Sequence, residues 1–181
     1  MSQTINLALI IGSLRKASIN RVFAEYITSQ LPEHVKVEEV AIADLPLYNQ
    51  DYDNQTIESY DQVRKQIKQA DAVLIVTPEH NRTLPAALKN VIDIASRPHG
   101  ESAWANKKVA LVTASPGSYG ARDSGLDVRK VMQSLASQVM IAPEIYLSRA
   151  TESLDDGQVS SERTQKYLNK FANELVDFIG E

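Results

Sequence analysis

The sequence predicts a three-layer α/β sandwich, in which a five-stranded parallel sheet of order 2-1-3-4-5 carries helices on both faces. Strand-like and helix-like segments alternate along all 181 residues. Three strand candidates are nearly continuous apolar runs, as expected for strands covered on both faces. No linker, repeat or low-complexity tract interrupts the alternation. We therefore expect one domain over residues 1–181.

Five segments have the composition of strands. The apolar runs at 5–11, 72–77 and 108–114 are expected to be the first, third and fourth strands of the chain. Residues 35–42 alternate between apolar and polar side chains, which is typical of an edge strand. A short apolar segment at 144–147 completes the predicted set.

Five helices are predicted between and after these strands. Ala86–Ala95 is apolar on most sides, so we expect this helix to be buried against both the sheet and a partner subunit. The other four helices carry apolar residues three or four positions apart: Val22, Phe23, Ile27 and Leu31; Ile57, Tyr60, Val63 and Ile67; Val128, Val131, Met132, Leu135 and Val139; and Leu168, Phe171, Leu175 and Ile179.

The predicted strand order indicates where a ligand binds. In the order 2-1-3-4-5, the connections that leave strands 1 and 3 diverge to opposite faces and open a crevice at the carboxyl ends of these strands. The loops that border this crevice are residues 12–20, 77–85 and 114–125. They are rich in Gly, Pro, Ser, Asn and Arg, so composition and topology indicate the same edge of the sheet.

Composition excludes several classes of function. The net charge of −4 argues against a general nucleic-acid binder, and no apolar run approaches the roughly 18–20 residues of a membrane span. The N-terminal Met-Ser-Gln-Thr has neither a basic region nor a small-residue cleavage site, so we expect a cytoplasmic protein. Because the chain has no cysteine, electrons in any redox reaction must travel through a bound cofactor. We expect no metal site.

The 12–20 loop has the composition of a phosphate site. It lies between the first strand and a helix, where free backbone N–H groups and the helix dipole both favour an anion. Arg15 supplies positive charge, and Ser13, Ser18 and Asn20 supply hydroxyl and amide donors. The alternative is a polar turn in which Ser18 only caps the helix and Arg15 is solvated.

Sequence motifs narrow the kind of phosphate ligand. The chain contains no G-x-x-x-x-G-K-[ST] motif, and Gly12 has no glycine partner that would form the G-x-G-x-x-G of a dinucleotide site. It also lacks G-x-S-x-G and H-E-x-x-H. A mononucleotide site remains.

The other two crevice loops leave two interpretations open. Residues 77–85 include two prolines and could be a rigid connector, with His80 an ordinary surface histidine. In residues 115–122, glycines allow the backbone to approach a flat ring, but a flexible loop has the same composition.

Five motifs, in order along residues 5 to about 148, resemble the NAD(P)H-dependent FMN reductase family, particularly its quinone reductase and chromate reductase branch. These motifs are Gly-Ser-Leu-Arg-Lys-x-Ser-x-Asn at 12–20, Leu-Pro-Leu-Tyr-Asn at 45–49, Thr-Pro-Glu-x-Asn at 77–81, Leu-Lys-Asn-x-Ile-Asp at 88–93 and Gly-Ala-Arg at 120–122.

The resemblance implies a flavodoxin-like fold, bound FMN, and ping-pong hydride transfer from NADPH or NADH to a quinone-type or other small acceptor. It also implies a homodimer or homotetramer, which we expect to form through helix 86–95 and neighbouring loops. By position, the FMN phosphate is expected at Ser13, Arg15, Ser18, Ile19 and Asn20; the ring and ribityl chain at Pro78, Glu79, His80 and Asn81; and the pyrimidine side at Ser115 and Gly117. No catalytic side chain is implied, since the flavin N5 carries the hydride.

Two positions depart from the family pattern. His80 stands where tyrosine is usual, and Ile94 follows Asp93 where tryptophan is common. Histidine can stack on a ring as tyrosine does, but it also changes charge near neutral pH. Two other classes remain open at this point: a flavodoxin-like electron carrier without turnover, and a flavin-free interaction module.

Overall fold

A computed structural model describes residues 4–180. Its parallel sheet has the order β2-β1-β3-β4-β5, with β6 also paired to β4, and helices cover both faces. The predicted sandwich and its strand order are confirmed. Residues 1–3, which open the N-terminal segment considered above, and residue 181 lie outside the described part. The strands are β1 (Ile5–Ile11), β2 (Val35–Glu39), β3 (Ala72–Thr77), β4 (Lys108–Ala114), β5 (Gln138–Val139) and β6 (Ile145–Leu147).

The described residues form five α-helices, as predicted: α1 (Ile19–Ser29), α2 (Glu58–Gln69), α3 (Ala86–Ala95), α4 (Arg122–Ser134) and α5 (Glu162–Gly180). The bounds of β1, β3, β4 and α3 match the predicted ones. Strand β2 ends three residues earlier than expected. The Val40 amide still donates to the Leu9 carbonyl at 2.9 Å, after which the chain leaves the sheet.

The last position in the sheet is shared by two short strands. Both β5 and β6 pair with β4, through Lys108↔Gln138 at one end and Ala114↔Leu147 at the other. The prediction that placed Val139 on the preceding helix was wrong, because α4 ends at Ser134 and Ala136 adopts a left-handed φ of 58°. That conformation turns the chain back onto the sheet.

Two apolar cores lie on opposite faces of the sheet, because successive strand residues point in opposite directions. On β1, Leu7, Leu9 and Ile11 face the core that contains α1 and α5. Ala8 and Ile10 face the core that contains α2, α3 and α4. The single sheet therefore belongs to both cores.

Helix α3 corrects one expectation. Its apolar residues Leu88, Val91, Ile92 and Ile94 are each 0% exposed within one chain. Helix α2 packs against it on the same face of the sheet. The apolar pattern of α3 is therefore explained by its own chain, and it supplies no argument for a partner subunit.

Four further small elements were not predicted. Strands β7 (Leu154–Asp155) and β8 (Gln158–Val159) form an antiparallel hairpin before α5. Single 3₁₀ turns occur at Gln50–Tyr52 and Ala150–Ser153. Among residues 4–180, no helix has the length and apolar composition required to cross a bilayer.

Candidate active site

Strand register brings the predicted loops to one edge of the sheet. Ile11 pairs with Val76, and Thr77 pairs with Thr113, so the carboxyl ends of β1, β3 and β4 are neighbours. Gly12 leaves β1 against Thr77: a Cβ on Gly12 would lie 2.3 Å from the Thr77 Oγ1 atom. A side chain has no room there, so glycine keeps the 12–20 loop close to β3.

The N-terminus of α1 has the features of an anion site. Ser18 caps the helix, and its Oγ accepts from the Arg21 amide at 3.3 Å. Within the described chain, the amides of Ile19 and Asn20 have no acceptor. The first turn of α1 contains no acidic residue. These free N–H groups and the helix dipole are therefore available to a negatively charged ligand.

Side chains in the 12–20 loop divide into inward and outward groups. Ser13 is half-buried, its Oγ accepting from the Arg15 amide at 3.5 Å, while the Arg15 side chain is exposed. Asn20 is only 2% exposed and donates through Nδ2 to the Ala114 carbonyl at 3.4 Å, whereas its Oδ1 has no partner. Asn20 therefore ties α1 to β4 through its side chain, while its backbone amide has no acceptor among the described residues.

Glu79 contacts a helix instead of the space beside the loop. Its Oε2 accepts from the amides of Asp123 at 3.0 Å and Ser124 at 3.3 Å, at the N-terminus of α4. The carboxylate thereby occupies the positive end of that helix dipole. The expectation that Glu79 lines a flavin ring therefore applies only to its backbone.

His80 begins a tight turn at the end of β3. The His80 and Thr83 backbones exchange two hydrogen bonds of 3.0 Å. Asn81 and Arg82 between them have φ values of 50° and 66°, as in the two-residue turns that join paired strands. The His80 side chain is exposed at this turn, and Pro78 is half-buried behind it.

Hydrogen bonds hold residues 115–120 to the strand beyond them. Ser115 donates to Leu147 at 3.0 Å and accepts from Ala150 at 2.9 Å through backbone atoms, and the Gly117 carbonyl accepts from the Arg149 amide at 2.8 Å. The Gly117 amide donates to the Ser115 Oγ at 3.1 Å. These hydrogen bonds anchor residues 115 and 117 to residues 147–150.

Gly120 lies where the 115–120 loop passes close to the backbone of Tyr146 and Ser148. Its φ is 61°, and a Cβ would lie 2.9 Å from the backbone atoms of Tyr146 and Ser148. The Gly120 carbonyl accepts from the Thr113 Oγ1 at 2.5 Å. Any larger residue would displace the loop from the sheet edge.

Side chains that the sequence did not single out join the 77–85 loop to the 114–125 loop and to α4. Arg82 lies over the Tyr119 ring at 4.7 Å from its centre and forms an ion pair with Asp123 at 3.4 Å. Thr83 Oγ1 donates to Asp127 at 2.5 Å. These contacts depend on how the loops meet in space, so no local pattern indicates them.

Asn90 has a structural role that its motif did not reveal. It is 9% exposed, its Oδ1 accepts from the Tyr48 amide at 2.8 Å, and its Nδ2 donates to the Pro46 carbonyl at 2.9 Å. The Tyr60 hydroxyl donates to the Leu47 carbonyl at 2.8 Å. The 45–49 segment is thereby fixed over α3, with Leu47 outermost at 78% exposure.

The residues at this edge fit a flavin mononucleotide. The unpartnered amides of Ile19 and Asn20, the Ser13 hydroxyl and the exposed Arg15 are donors suited to a dianionic phosphate. No carboxylate occurs in residues 12–20. The 115–120 loop supplies backbone groups that a flat ring can approach.

Comparison with known proteins supports this interpretation. The model of the NADPH-dependent FMN reductase family matches residues 5–152. A quinone reductase of Pseudomonas putida is 39% identical over 180 residues, 99% of this chain and 97% of the relative. A 2-hydroxy-1,4-benzoquinone reductase of a Burkholderia species is 38% identical over 176 residues, 97% and 96% of the two chains. The solved structure of FerB, a flavoenzyme NAD(P)H:(acceptor) oxidoreductase from Paracoccus denitrificans, has 33% identity and a TM-score of 0.91, with 98% of each chain covered.

Fold and similarity together define a flavodoxin-like oxidoreductase. The chain belongs to the NADPH-dependent FMN reductase family. It is an enzyme that uses FMN, with NAD(P)H as the electron donor. The resemblance first indicated by five short motifs is thus confirmed across most of the chain, and the electron-carrier and flavin-free alternatives are set aside.

Proposed function

We propose that this enzyme transfers a hydride from NAD(P)H, through FMN held at the carboxyl edge of the sheet, to quinones. The observation that carries the proposal is the α1 N-terminus, where two unpartnered amides and an exposed arginine lie beside two anchored loops. Relatives of nearly equal length that are named for quinone and hydroxybenzoquinone reduction favour this acceptor class.

The proposed cofactor contacts follow the three loops. The phosphate is assigned to the amides of Ile19 and Asn20, the hydroxyls of Ser13 and Ser18, and the guanidinium of Arg15. The ribityl chain and ring are assigned to the turn that contains Pro78, Glu79, His80 and Asn81, with Glu79 contributing only backbone. The pyrimidine side is assigned to Ser115 and Gly117.

Bound FMN supplies the two-electron chemistry, and the chain supplies position and electrostatics. The amides of Ser115 and Gly117 already donate within the chain. The next amides, those of Ser118 and Tyr119, have no acceptor among the described residues. We assign to these amides the stabilisation of negative charge at the pyrimidine edge, because preorganised backbone donors favour charge that develops nearby. No side chain is assigned as a nucleophile or general base.

An anaerobic titration tests the proposed function. We expect the purified protein to show flavin absorbance, to lose it on addition of NADPH or NADH, and to regain it on addition of 1,4-benzoquinone. Steady-state consumption of the nicotinamide should then depend on the quinone. A flavin that is bleached by nicotinamide but is not reoxidised by quinones would contradict the proposed acceptor class.

We also propose a homodimer. Because the apolar residues of α3 are covered by their own chain, the contact is assigned to the neighbouring 45–49 segment, from which Leu47 projects. Leu47 is 78% exposed on a segment that hydrogen bonds to Asn90 and Tyr60 hold in place. Association favours such a side chain, because the partner would remove its apolar area from water.

Residues 1–181 are proposed to form one domain, because the two cores share a single sheet. We propose a cytoplasmic location, where the nicotinamide donor is available. Fractionation of cells that produce the protein would test the location, and recovery in a membrane or extracellular fraction would contradict it.

A further inference from the structure

A second cavity lies beside the site described above. It has a volume of about 770 Å³ and is bounded by the end of β6 and the first half of α5. Residues that carry the argument are Tyr146 and Ser148 on the strand side, with Arg163, Lys166, Tyr167 and Lys170 on the helix side. We call this cavity the α5 groove.

Positive charge predominates in the α5 groove. Arg163, Lys166 and Lys170 are spaced three and four residues apart, so they share one face of α5. With a rise of 1.5 Å per residue, the row is about 10 Å long. None of the three has an ion-pair partner in the described chain, and Glu152 is the one carboxylate among the lining residues. This excess occurs on a chain whose net charge is −4.

Aromatic and hydroxyl groups complete the lining. Tyr146 and Tyr167 border the groove, and both hydroxyls bond to Glu144: Tyr146 to the carboxylate at 3.0 Å and Tyr167 to the backbone carbonyl at 2.5 Å. The Tyr146 ring lies against Gly125 of α4, whereas the Tyr167 ring borders the groove with its hydroxyl fixed. A fixed aromatic ring next to a row of cations suits a ligand that combines a flat base with phosphate groups, since bases stack on aromatic rings and phosphates pair with Arg and Lys.

The α5 groove lies next to the loop that is assigned to the pyrimidine side of the flavin. Ser148 lines the groove, and the next residue, Arg149, donates its amide to the Gly117 carbonyl at 2.8 Å. Ala150 donates to Ser115 at 2.9 Å in the same way. The loop assigned to the pyrimidine side of the flavin is therefore adjacent in space to the start of the groove.

We propose that the α5 groove binds the adenosine half of the nicotinamide dinucleotide, with Lys166 and Lys170 at the 2′-phosphate that distinguishes NADPH from NADH. This inference rests on the proposed function, because it requires the nicotinamide to reach the flavin at residues 115–117. Arg163 is the first of the three cations along α5, at the end of the row nearer in sequence to the 150–153 turn. We assign Arg163 to the diphosphate bridge.

Direct binding of adenosine 2′,5′-bisphosphate tests the groove without turnover. In calorimetric titrations of the FMN-loaded protein, we expect Lys166→Gln/Lys170→Gln to weaken binding by at least about tenfold, because each lysine removed takes away a charge-assisted contact. The matched control is Lys65→Gln/Lys130→Gln, two exposed lysines on α2 and α4, which should bind as the wild type does. Equal binding by both double variants, or equally tight binding of inorganic pyrophosphate by the wild type, would overturn the proposal.

Kinetics separate this inference from the proposed function. We expect Lys166→Gln/Lys170→Gln to raise the KM for NADPH about tenfold, with kcat, FMN content and the KM for NADH nearly unchanged. Arg163→Gln should raise the KM for both nucleotides. If quinone reduction fails in the wild type but the bisphosphate binds through the lysines, the proposed function fails and the groove assignment stands. If turnover is normal and the KM values do not change, the groove assignment fails alone.

Discussion

Ser18 and Arg15, three residues apart in the 12–20 loop, have different roles. Ser18 is 4% exposed and caps α1, so its main contribution is to the helix. Arg15 is exposed and forms no ion pair in the described chain, and the amides of Ile19 and Asn20, which follow it in the chain, are unpartnered. The two alternatives weighed from the sequence, a helix cap and an anion site, are compatible in this loop, because capping occupies the Arg21 amide and leaves those of Ile19 and Asn20.

We expect Arg15→Ala to weaken FMN binding about tenfold to a hundredfold, because a charge-assisted hydrogen bond contributes roughly 1.5–3 kcal/mol. Fluorescence titration of the apoprotein with FMN measures this change. Lys36→Ala removes an exposed cation from the amino end of β2 and serves as the control. An unchanged dissociation constant for Arg15→Ala would exclude this residue from the phosphate site.

His80 is expected to make the reaction rate depend on pH. It stands exposed at the turn assigned to the flavin ring, and histidine changes charge near neutral pH whereas tyrosine does not. The rate of flavin reduction by NAD(P)H, followed by stopped flow between about pH 5.5 and about pH 8.5, where histidine as a residue type changes charge, should vary less in His80→Tyr. Superimposable profiles for the two proteins would reject this role.

Helix α1 and helix α4 begin at the same edge of the sheet but use their N-termini differently. The first turn of α1 has no acidic residue, whereas α4 has Asp123 in its first turn and the Glu79 carboxylate on its amides. An anionic ligand is therefore attracted to α1, while the positive end of α4 is already neutralised. The contact of Glu79 with α4 also positions the turn at residues 80–83, because Glu79 directly precedes His80 in the chain.

Glu79→Ala should destabilise the protein by about 1–2 kcal/mol, since it removes the acceptor from two part-buried amides of α4. For a chain of this length, the melting temperature should fall by roughly 2–4 °C for each kcal/mol. Glu174→Ala, at an exposed position on α5, provides the control. Equal melting temperatures for Glu79→Ala and the control would show that the cap contributes no stability.

The Arg21–Glu39 pair, which joins α1 to β2, should give a pH-dependent contribution to stability. Two hydrogen bonds of 2.6 and 2.7 Å from the guanidinium lower the pKa of Glu39 below its ordinary value of 4.5. The stabilisation is therefore complete above that value and is lost as the pH falls through the lowered pKa. Because both side chains are about 40% exposed, we expect only about 0.5–1 kcal/mol.

Urea unfolding of Glu39→Gln and the wild type at about pH 7 and about pH 3, roughly 2.5 units above and roughly 1.5 units below the ordinary pKa of 4.5, tests this contribution. The difference in unfolding free energy should be present at pH 7 and smaller at pH 3. Glu33→Gln, on the exposed segment before β2, should show little difference at either pH. A difference that grows as the pH is lowered would contradict the assigned direction.

At the scale of the whole molecule, the two most exposed large apolar side chains among the described residues are Leu47 and Ile141. Leu47 is 78% exposed on the segment fixed over α3, and Ile141 is 84% exposed between β5 and β6, at one edge of the sheet. The proposed dimer uses only the first of them. The two positions therefore form a matched pair for mutation.

We expect Leu47→Glu to shift the protein from dimer to monomer in sedimentation equilibrium, because it places a charge in the proposed apolar contact. The Leu47→Glu monomer should keep the circular dichroism spectrum and the melting behaviour of the wild-type protein. Ile141→Glu should leave the assembly unchanged. Dissociation by Ile141→Glu alone would move the interface to the edge of the sheet that carries Ile141.

Periodicity and composition predicted most of the fold but not its irregular parts. The buried strands β1, β3 and β4 were located to the residue, because a strand covered on both faces is a continuous apolar run. The end of α4 was misplaced, since the left-handed Ala136 gives no signal in composition. Apolar residues in α3 were correctly predicted as buried, but what covers them, the sheet and α2, depends on tertiary packing.

Local patterns and short motifs were enough to predict the fold class, the strand order, the family and the three loops at the crevice. What each polar group in those loops contacts depends instead on how the chain packs in three dimensions. Asn20 bonds to β4, Glu79 caps α4, and Gly12 lies against Thr77. Such partners are distant in the chain, and a hydrogen bond depends on distance and direction between atoms, which no local pattern encodes.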